Sequence, residues 1–212
     1  DKIIFTIDGE DAKDLDDAVR VIKLENGNYE LDVHIADVSY YVRENSLLDQ
    51  EALIRGTSIY MLGRVIPMLP RELSNGICSL NAGEDRFTLS CSMEIDKKGK
   101  VISSEIYKGI IKVTERMSYT DVQKIIDASD EVTLKRYEPY IQKFKNMEEL
   151  AIILKNRRIE EGYLNLDIPE SKIDLDIDGH VTNISKYETT FAHEIIEQFM
   201  LTANETIAEK FF

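Results

Sequence analysis

The stretch Asp8-Gly9-Glu10-Asp11-Ala12-Lys13-Asp14-Leu15-Asp16-Asp17 decides how this sequence is interpreted, because six of its ten residues are acidic. Carboxylates this close together repel one another and raise one another's pKa. Divalent cations relieve that repulsion, and ligand sets made only of oxygen suit hard ions such as magnesium or manganese rather than zinc. The stretch therefore predicts a metal site, with a solvated acidic loop as the structural alternative.

Strands are predicted on both sides of the acidic stretch. Residues 3–7 lead into it, and residues 18–24 and 29–37 predict a hairpin around Asn26-Gly27, a dipeptide typical of tight turns. A two-residue turn would place Asp16 opposite Asp37 and Asp17 opposite Ala36. We therefore expect the end of the second strand, residues 34–39, to flank the acidic cluster.

The remaining elements predict an α+β fold. Its sheet is expected to be mixed, largely antiparallel and curled, built from hairpins with helices packed on it, because no alternation of single strands and helices appears. Residues 56–70 are too interrupted by Gly and Pro for a long element and predict a buried loop wall or a functional loop. Further strands are predicted at 87–95 and 101–113, a small hairpin at 173–177 and 181–185, and helices that start near Ser46, Ser118, Pro139 and Phe191.

Composition limits the classes of function. The chain has 212 residues and a formal net charge of −14, the wrong sign for holding nucleic acid by charge alone. A nucleic-acid role must then depend on bound metals, local Lys and Arg side chains, or basic modules elsewhere. Cys78 and Cys91 form neither a disulfide framework nor a zinc pattern, so we expect no disulfide-linked partner and a cytoplasmic location. No apolar run is long enough to cross a membrane, and we expect no membrane association.

Two other motifs are weaker than they look. Residues 174–179 match the first half of an EF-hand loop, but Ser185 stands where a bidentate Glu is needed, so a solvent-facing hairpin is predicted. Residues 193–197 resemble the zinc-protease motif, but Glu197 replaces the second His, so the start of a capped helix is predicted there.

The sequence Thr6-Ile7-Asp8-Gly9-Glu10-Asp11-Ala12-Lys13-Asp14-Leu15-Asp16-Asp17-Ala18 resembles the signature of the ribonuclease II / ribonuclease R catalytic domain. Later runs resemble the same family in the family's order, which together cover essentially the whole chain. These runs are residues 34–39, 55–60, 64–70, 73–80, 85–86 and 192–197.

The resemblance implies processive hydrolysis of single-stranded RNA from its 3′ end, with release of nucleoside 5′-monophosphates. It assigns Asp8, Asp14, Asp16 and Asp17 as catalytic residues and ligands of magnesium, with manganese as a substitute, and Asp16 as the least dispensable. This assignment agrees with the chemistry, since hydrolysis of a phosphodiester needs an activated water and stabilisation of the leaving 3′ oxygen, which paired metals supply.

The resemblance also implies residues that bind RNA. Tyr60 matches a tyrosine that stacks on the terminal base, with a buried tyrosine as the alternative. Tyr119 and Glu197 match positions that favour ribose over deoxyribose, although Glu197 equally fits a carboxylate on a helix surface. One departure concerns Leu166, which stands where the family usually has a phenylalanine on the far side of the terminal base, so the clamp on that base is expected to be one-sided.

Both ends of the sequence fall inside a predicted element, so we expect residues 1–212 to be the N-terminal major part of one catalytic domain. The family's catalytic arginine and its flanking cold-shock and S1 domains would then lie outside the chain, and we expect the chain alone to show little or no turnover. Two alternatives are a non-catalytic RNA-binding or assembly module with the same fold, and an unrelated metal-dependent phosphohydrolase.

Overall fold

The structure is a computed structural model that describes residues 2–62, 64–164 and 171–212. Its strands are β1 (Phe5–Asp8), β2 (Asp17–Lys23), β3 (Tyr29–Ala36), β4 (Ile59–Met61), β5 (Arg64–Ile66), β6 (Asp85–Ile95), β7 (Val101–Lys112), β8 (Glu115–Ser118), β9 (Ser171–Leu175) and β10 (Val181–Lys186). Its α-helices are α1 (Val38–Tyr41), α2 (Leu47–Arg55), α3 (Tyr119–Asp127), α4 (Glu131–Arg136), α5 (Ile141–Glu160) and α6 (Phe191–Phe211).

Six of the strands form one sheet in the order β7-β6-β3-β2-β1-β8. Neighbouring strands are antiparallel except for β1 and β8, which run parallel. Parallel pairing requires a crossover, and here the long excursion through β2, β3, β6 and β7 supplies it. The predicted α+β fold, with a mixed and largely antiparallel sheet, is confirmed.

The predicted register of the β2–β3 hairpin was wrong by one residue. Asp17 lies opposite Ile35 rather than Ala36, and the opposition predicted for Asp16 and Asp37 fails with it. The expected proximity of this strand end to the acidic stretch is nevertheless confirmed, because the Ala36 amide donates a hydrogen bond to the Asp16 carbonyl over 3.0 Å.

The turn of this hairpin explains the error. Gly27 has a φ of +83°, and the amide of Leu24 bonds the carbonyl of Asn28, so the loop has three residues rather than two. Such loops place a glycine in the left-handed region as their last residue. The apolar pattern demands this register, because Val19 and Leu31 reach the same face of the sheet only when odd positions pair with odd ones.

The core lies between one face of the sheet and the helices α3, α5 and α6. Phe5 on β1 packs against Phe144 on α5 with ring centroids 4.8 Å apart, and Phe199 of α6 is fully buried in the same cluster. Burying one such side chain stabilises the folded state by about 1.5–3 kcal/mol. This core fixes the two central strands that carry the ends of the acidic stretch.

Polar side chains are buried on the other face of the sheet. Asp32 accepts hydrogen bonds from Lys2 (2.8 Å) and Arg20 (2.5 Å). Burial alone would raise the pKa of Asp32, but these hydrogen bonds and charges hold it below its usual value. His34 is 1% exposed and bonds Ser90 through Nδ1 (2.7 Å), and burial lowers the pKa of His34 to about 4.

The helix starts near Ser46 and Ser118 are confirmed. Each serine Oγ accepts a hydrogen bond from the amide three residues later, at Asp49 (3.2 Å) and Asp121 (3.0 Å) respectively. This is the usual way in which a serine side chain satisfies a free amide at a helix N-terminus. The two helices differ in packing, since α3 has buried residues and α2 has none.

Residues 56–70 do not form a buried loop wall. Their central part is the β4–β5 hairpin, in which every strand residue is exposed. The prediction that this segment forms no long element is confirmed, because each of its strands has three residues, but the buried loop wall was wrong. The apolar residues in this segment face solvent instead of a core.

The late hairpin predicted from residues 173–185 is confirmed as β9 and β10. At its turn, Asp176 accepts hydrogen bonds from the amides of Asp178 and His180. These residues form a hairpin turn and not an EF-hand loop. Cys78 and Cys91 are buried free thiols. Within the described residues, no helix combines the length and apolar character that crossing a bilayer requires.

Candidate metal centre

The four predicted aspartates lie at one end of two neighbouring interior strands, β1 and β2, and on the loop between them. Asp8 is the last residue of β1, Asp17 is the first residue of β2, and these strands are antiparallel neighbours. Asp14 and Asp16 lie on the loop that joins them. The negative charges act on one another throughout the group: Asp14 raises the pKa of both Asp8 and Asp16. The structure therefore brings the predicted residues together as one electrostatic cluster.

The second half of the acidic loop is fixed by buried contacts. Ser79 donates a hydrogen bond through Oγ to the carbonyl of Lys13 (3.0 Å) and accepts one from the amide of Leu15 (3.1 Å). The amide of Leu80 bonds the carbonyl of Leu15 over 2.8 Å, and the Leu15 side chain is 1% exposed. The buried Leu15 fixes the backbone on both sides of it, and this holds Asp14 and Asp16 in place.

The cluster carries uncompensated negative charge. Burial, followed by repulsion from Asp8 and Asp16, raises the pKa of Asp17 to about 6. Desolvation, followed by repulsion from Asp14 and Asp8, also raises the pKa of Asp16. The pKa of Asp8 is raised mainly by burial, and the hydrogen bond of 2.7 Å that the Gly9 amide donates to Asp8 opposes this shift. The charged side chains that shift Asp16 and Asp17 are carboxylates, so a cation would be favoured there.

This donor set fits a hard divalent cation. All four groups are carboxylates, and carboxylate oxygens are the ligands that magnesium and manganese prefer. No three of them bring their oxygen atoms within 4.8 Å of one another. The four carboxylates influence one another's pKa, and a divalent ion would neutralise their combined negative charge.

A tighter group of potential ligands lies elsewhere. In the part of the chain that the structure describes, Asp176, Asp178 and His180 are the group whose ligand atoms all lie within 4.8 Å of one another. All three are exposed at the β9–β10 turn, where the amide hydrogen bonds to Asp176 already explain its conformation. These three residues are separate from the cluster of four aspartates.

Tyr60 lies on one side of the acidic loop. It is 68% exposed on β4, so the buried alternative was wrong, and its hydroxyl donates a hydrogen bond to Asp14 Oδ2 over 2.9 Å. A cavity of about 360 Å³ opens between this strand and the loop, and the cations Lys13, Arg64 and Arg71 are among the residues that line it. An aromatic ring, an aspartate and several cations thus meet at one opening.

Tyr119 lies on the opposite side of the loop, at the first position of α3. Its ring stacks on His193 with centroids 3.9 Å apart and an interplanar angle of 17°. Burial, followed by the charges of Asp8 and Asp17, raises the pKa of Tyr119, so its hydroxyl stays protonated at neutral pH. A second cavity, of about 770 Å³, lies beside this stack.

Glu197 is less closely tied to the cluster. It is exposed on α6, one helical turn after His193, and accepts a hydrogen bond of 3.4 Å from Tyr163. This position agrees with either interpretation of Glu197, a ligand-binding carboxylate or a helix-surface residue. Leu166, which stands where the family usually has a clamping phenylalanine, lies outside the described residues.

The sequence analysis missed two residues at this site. His193 was interpreted only as part of a helix start, which is correct, since it forms a capping box with Thr190. Its stacking partner lies on a separate helix, and no local pattern indicated that contact. Arg116, which donates hydrogen bonds to carbonyls of the acidic loop, carried no motif of its own. Both residues act through long-range contacts.

Known proteins are similar to this chain over nearly its whole length. The sequence matches the RNB domain family over residues 1–211. It is 51% identical to ribonuclease R of Thermotoga maritima over all of this chain and 30% of that protein. It is 53% identical to ribonuclease R 1 of Lactococcus lactis, over 99% of this chain and 26% of that protein.

A solved structure shows the same fold. Mycoplasma genitalium RNase R, in complex with ribose-methylated single-stranded RNA, superposes with a TM-score of 0.90 at 33% identity. The superposition covers 98% of this chain and 32% of that one. This chain therefore spans about a third, or less, of the length of the relatives that it matches.

Proposed function

The chain belongs to the RNB domain family, and on that basis we propose that it carries the acidic centre of a metal-dependent 3′→5′ exoribonuclease. The proposed reaction is processive hydrolysis of single-stranded RNA to nucleoside 5′-monophosphates, with residues 1–212 as part of one catalytic domain. The observation that carries the proposal is the cluster of four aspartates at the adjoining ends of β1 and β2.

Asp8, Asp14, Asp16 and Asp17 are the residues that would hold magnesium, or manganese in its place. When bound, such ions activate a water and stabilise the leaving 3′ oxygen of a phosphodiester. The protein's contribution is a set of carboxylates mounted on two strand ends, with the intervening Leu15 anchored in the interior. A rigid mount is what a hydrolytic centre needs, because small displacements of its groups slow the reaction strongly.

Tyr60 is the residue that we assign to the terminal base. Its exposed ring can stack on any base, since every base has a π face. Its hydroxyl bonds Asp14, which links the stacking ring to the acidic cluster. Contact with the base would therefore place the last phosphodiester near the carboxylates.

Tyr119 and Glu197 are the residues that we assign to the ribose. The hydroxyl of Tyr119 is protonated at neutral pH, since burial and the nearby carboxylates only raise its pKa further, and it can donate a hydrogen bond to a 2′ oxygen. A carboxylate such as Glu197 can accept one from the same group. A donor and an acceptor for the 2′-hydroxyl distinguish ribose from deoxyribose.

Local cations offset the acidic character of the chain. The net charge is −14, which would repel an RNA backbone at a distance. Lys13, Arg64 and Arg71 line the cavity beside Tyr60, while Lys124 and Lys172 line the cavity beside Tyr119. Phosphates that follow the terminal nucleotide would meet more positive charge beside Tyr60, because Glu10, Asp11, Asp127 and Glu188 also line the cavity beside Tyr119.

The test is magnesium-dependent digestion of a labelled single-stranded RNA by a protein that contains residues 1–212. Asp16→Asn should reduce release of mononucleotides by at least about 100-fold, because it removes a carboxylate that would hold the metal ions. Asp178→Asn is the matched control: it also removes one aspartate charge, but at the exposed β9–β10 turn. It should leave the rate within about two-fold.

Two results would favour the alternatives. A protein that binds RNA but remains inert with magnesium and with manganese would be a non-catalytic RNA-binding module. A protein that hydrolyses small phosphoesters in preference to RNA would be a phosphohydrolase of another class. Equal loss in Asp16→Asn and Asp178→Asn would show that total charge, and not the cluster, controls the reaction.

A further inference from the structure

The first half of the acidic loop is held by one arginine, Arg116, which is far from the loop in sequence but lies on β8, the strand beside β1. Arg116 Nη2 donates hydrogen bonds to the carbonyls of Ala12 (2.7 Å) and Glu10 (2.9 Å), and it lies 3.3 Å from the carbonyl of Gly9. Arg116 lies on β8, beside Thr6 in the parallel pair of β1 and β8. The guanidinium thus reaches forward from the strand next to β1 into the loop that follows β1.

Three carbonyl oxygens that converge on one point repel one another unless a cation lies between them. The guanidinium supplies this charge together with fixed hydrogen-bond donors, and charge-assisted hydrogen bonds are about twice as strong as neutral ones. In the loop itself, a backbone hydrogen bond of 3.2 Å joins the Ala12 amide to the Gly9 carbonyl. Arg116 therefore supplies long-range hydrogen bonds to residues 9–12, while the Ala12 side chain packs against the hydrophobic cluster that contains Leu15.

We propose that Arg116 is a positioning residue, which preforms residues 9–12 and thereby sets the distance between Asp8 and Asp14 for metal binding. The inference rests on the proposed function in its metal-binding part. Ser79 and Leu80 fix the loop only from Lys13 onward. The segment between Asp8 and Lys13 depends on the arginine.

The role of Arg116 differs from that of a core residue. Its side chain is exposed, whereas the next residue on β8, Met117, is 1% exposed and anchors the strand. Replacement of Arg116 therefore removes no apolar packing from the core. The effect should be confined to the loop and to what the loop binds.

The experiment uses this chain with Arg116→Met and Arg116→Lys, and with Arg157→Met as the matched control. Arg157 also donates a hydrogen bond to a loop carbonyl, that of Gly99 over 2.8 Å, and it lies on α5. Amide hydrogen exchange of residues 9–12 is measured without metal, and the Kd for Mn²⁺ is measured by electron paramagnetic resonance. Thermal unfolding is recorded for each variant.

Arg116→Met should speed exchange of the Ala12 amide, which bonds the Gly9 carbonyl, at least about 10-fold and weaken Mn²⁺ binding about 10–100-fold, the range typical of residues that orient metal ligands. Its Tm should change no more than that of Arg157→Met, which should leave exchange and Mn²⁺ affinity unaltered. Arg116→Lys keeps the charge on a flexible stem but loses the planar guanidinium whose Nη2 makes all three contacts, so it should restore only part of both effects.

Unchanged exchange of residues 9–12 in Arg116→Met would overturn the proposal, as would an Mn²⁺ affinity within two-fold of the parent chain. Asp16→Asn separates this proposal from the proposed function. If the parent chain shows no Mn²⁺ binding that Asp16→Asn removes, the metal assignment fails. The exchange measurement still decides whether Arg116 holds the loop.

Discussion

The two sides of the acidic loop are built in opposite ways. On one side, which we call the packed side, α3 and the start of α6 present Tyr119 and His193, and Ile125 of α3 is fully buried. On the other side, which we call the exposed side, α2 and the β4–β5 hairpin present Tyr60, and Ile54 of α2 is 80% exposed. Both sides contribute an aromatic ring to the same cluster.

This difference matches two requirements of the proposed function. The proposed metal-binding carboxylates and ribose-binding residues would need a fixed geometry, and the packed side is tied to the core through α3 and α6. A surface that grips bases without regard to sequence gains from adaptability, and segments with few buried contacts open most readily. The site thus combines a packed side, whose residues are tied to the core, with an exposed side that has few buried contacts.

The sharpest test of this contrast is a pair of matched truncations. Ile125→Ala should lower the free energy of unfolding by about 2–5 kcal/mol, because it leaves a cavity in a fully buried position. Ile54→Ala should change it by less than about 0.5 kcal/mol, since the side chain faces solvent. Urea unfolding followed by circular dichroism measures both. Equal costs would remove the distinction between the two sides.

The stability of the six-stranded sheet should also depend on pH, because His34 is buried on β3. The pKa of His34 is about 4 in the folded chain, below the ordinary 6.5, so the unfolded chain takes up the proton first. The stability that neutral His34 provides is complete above pH 6.5 and is lost as the pH falls towards 4, at a cost of about 3 kcal/mol at most.

The measurement compares wild type with His34→Gln, which does not titrate. The raised pKa of Asp17 acts in the opposite direction over much of the same range, so the difference in slope between the two proteins is the relevant quantity. His34→Gln should lose less stability between pH 6.5 and 4 than wild type. Parallel curves would show that His34 does not contribute.

On the exposed side the expected effect is on binding rather than stability. Tyr60→Ala should weaken binding of a short single-stranded RNA by about 1–3 kcal/mol, the usual value of one base–aromatic stack, with no loss of thermal stability. Tyr60→Phe keeps the ring and removes only the hydrogen bond to Asp14, so most of the affinity should remain. A loss of Tm in Tyr60→Ala would mean that the hairpin is part of the folded core after all.

The smallest effect comes from the two serine caps, which form the same hydrogen bond on opposite sides. Ser118→Ala should lower global stability by about 0.5–2 kcal/mol, because α3 is packed into the core. Ser46→Ala should instead increase hydrogen exchange within α2 and leave global unfolding unchanged, because that helix has no buried residue. A global loss from both would show that the exposed side unfolds together with the core.

Much of this fold follows from local patterns. The helix starts at Ser46 and Ser118, the strand in β6 and the late hairpin were all predicted, because caps, alternation and turn residues act within a few positions. The hairpin register was available too, from the apolar residues that must share one face. It was predicted wrongly because the turn dipeptide was given more weight than the pattern.

Exposure was harder to predict than structure. Residues 56–70 are apolar enough for a buried wall, yet the β4–β5 hairpin carries its apolar side chains on the surface. Apolar composition alone does not reveal whether other elements cover a segment. The prediction that Gly and Pro exclude a long element was correct, whereas the prediction that the segment is buried was wrong.

By itself, the sequence determined that carboxylates crowd the loop between two strands, because consecutive residues cannot separate and their repulsion needs no tertiary contact. Only the tertiary structure decided what holds that loop and what faces it. Arg116 meets the carbonyl of Glu10 across 106 positions of sequence, and Tyr119 meets His193 between two helices. Such contacts follow from the order of the strands in the sheet and from helix packing, which no periodicity within a single element encodes.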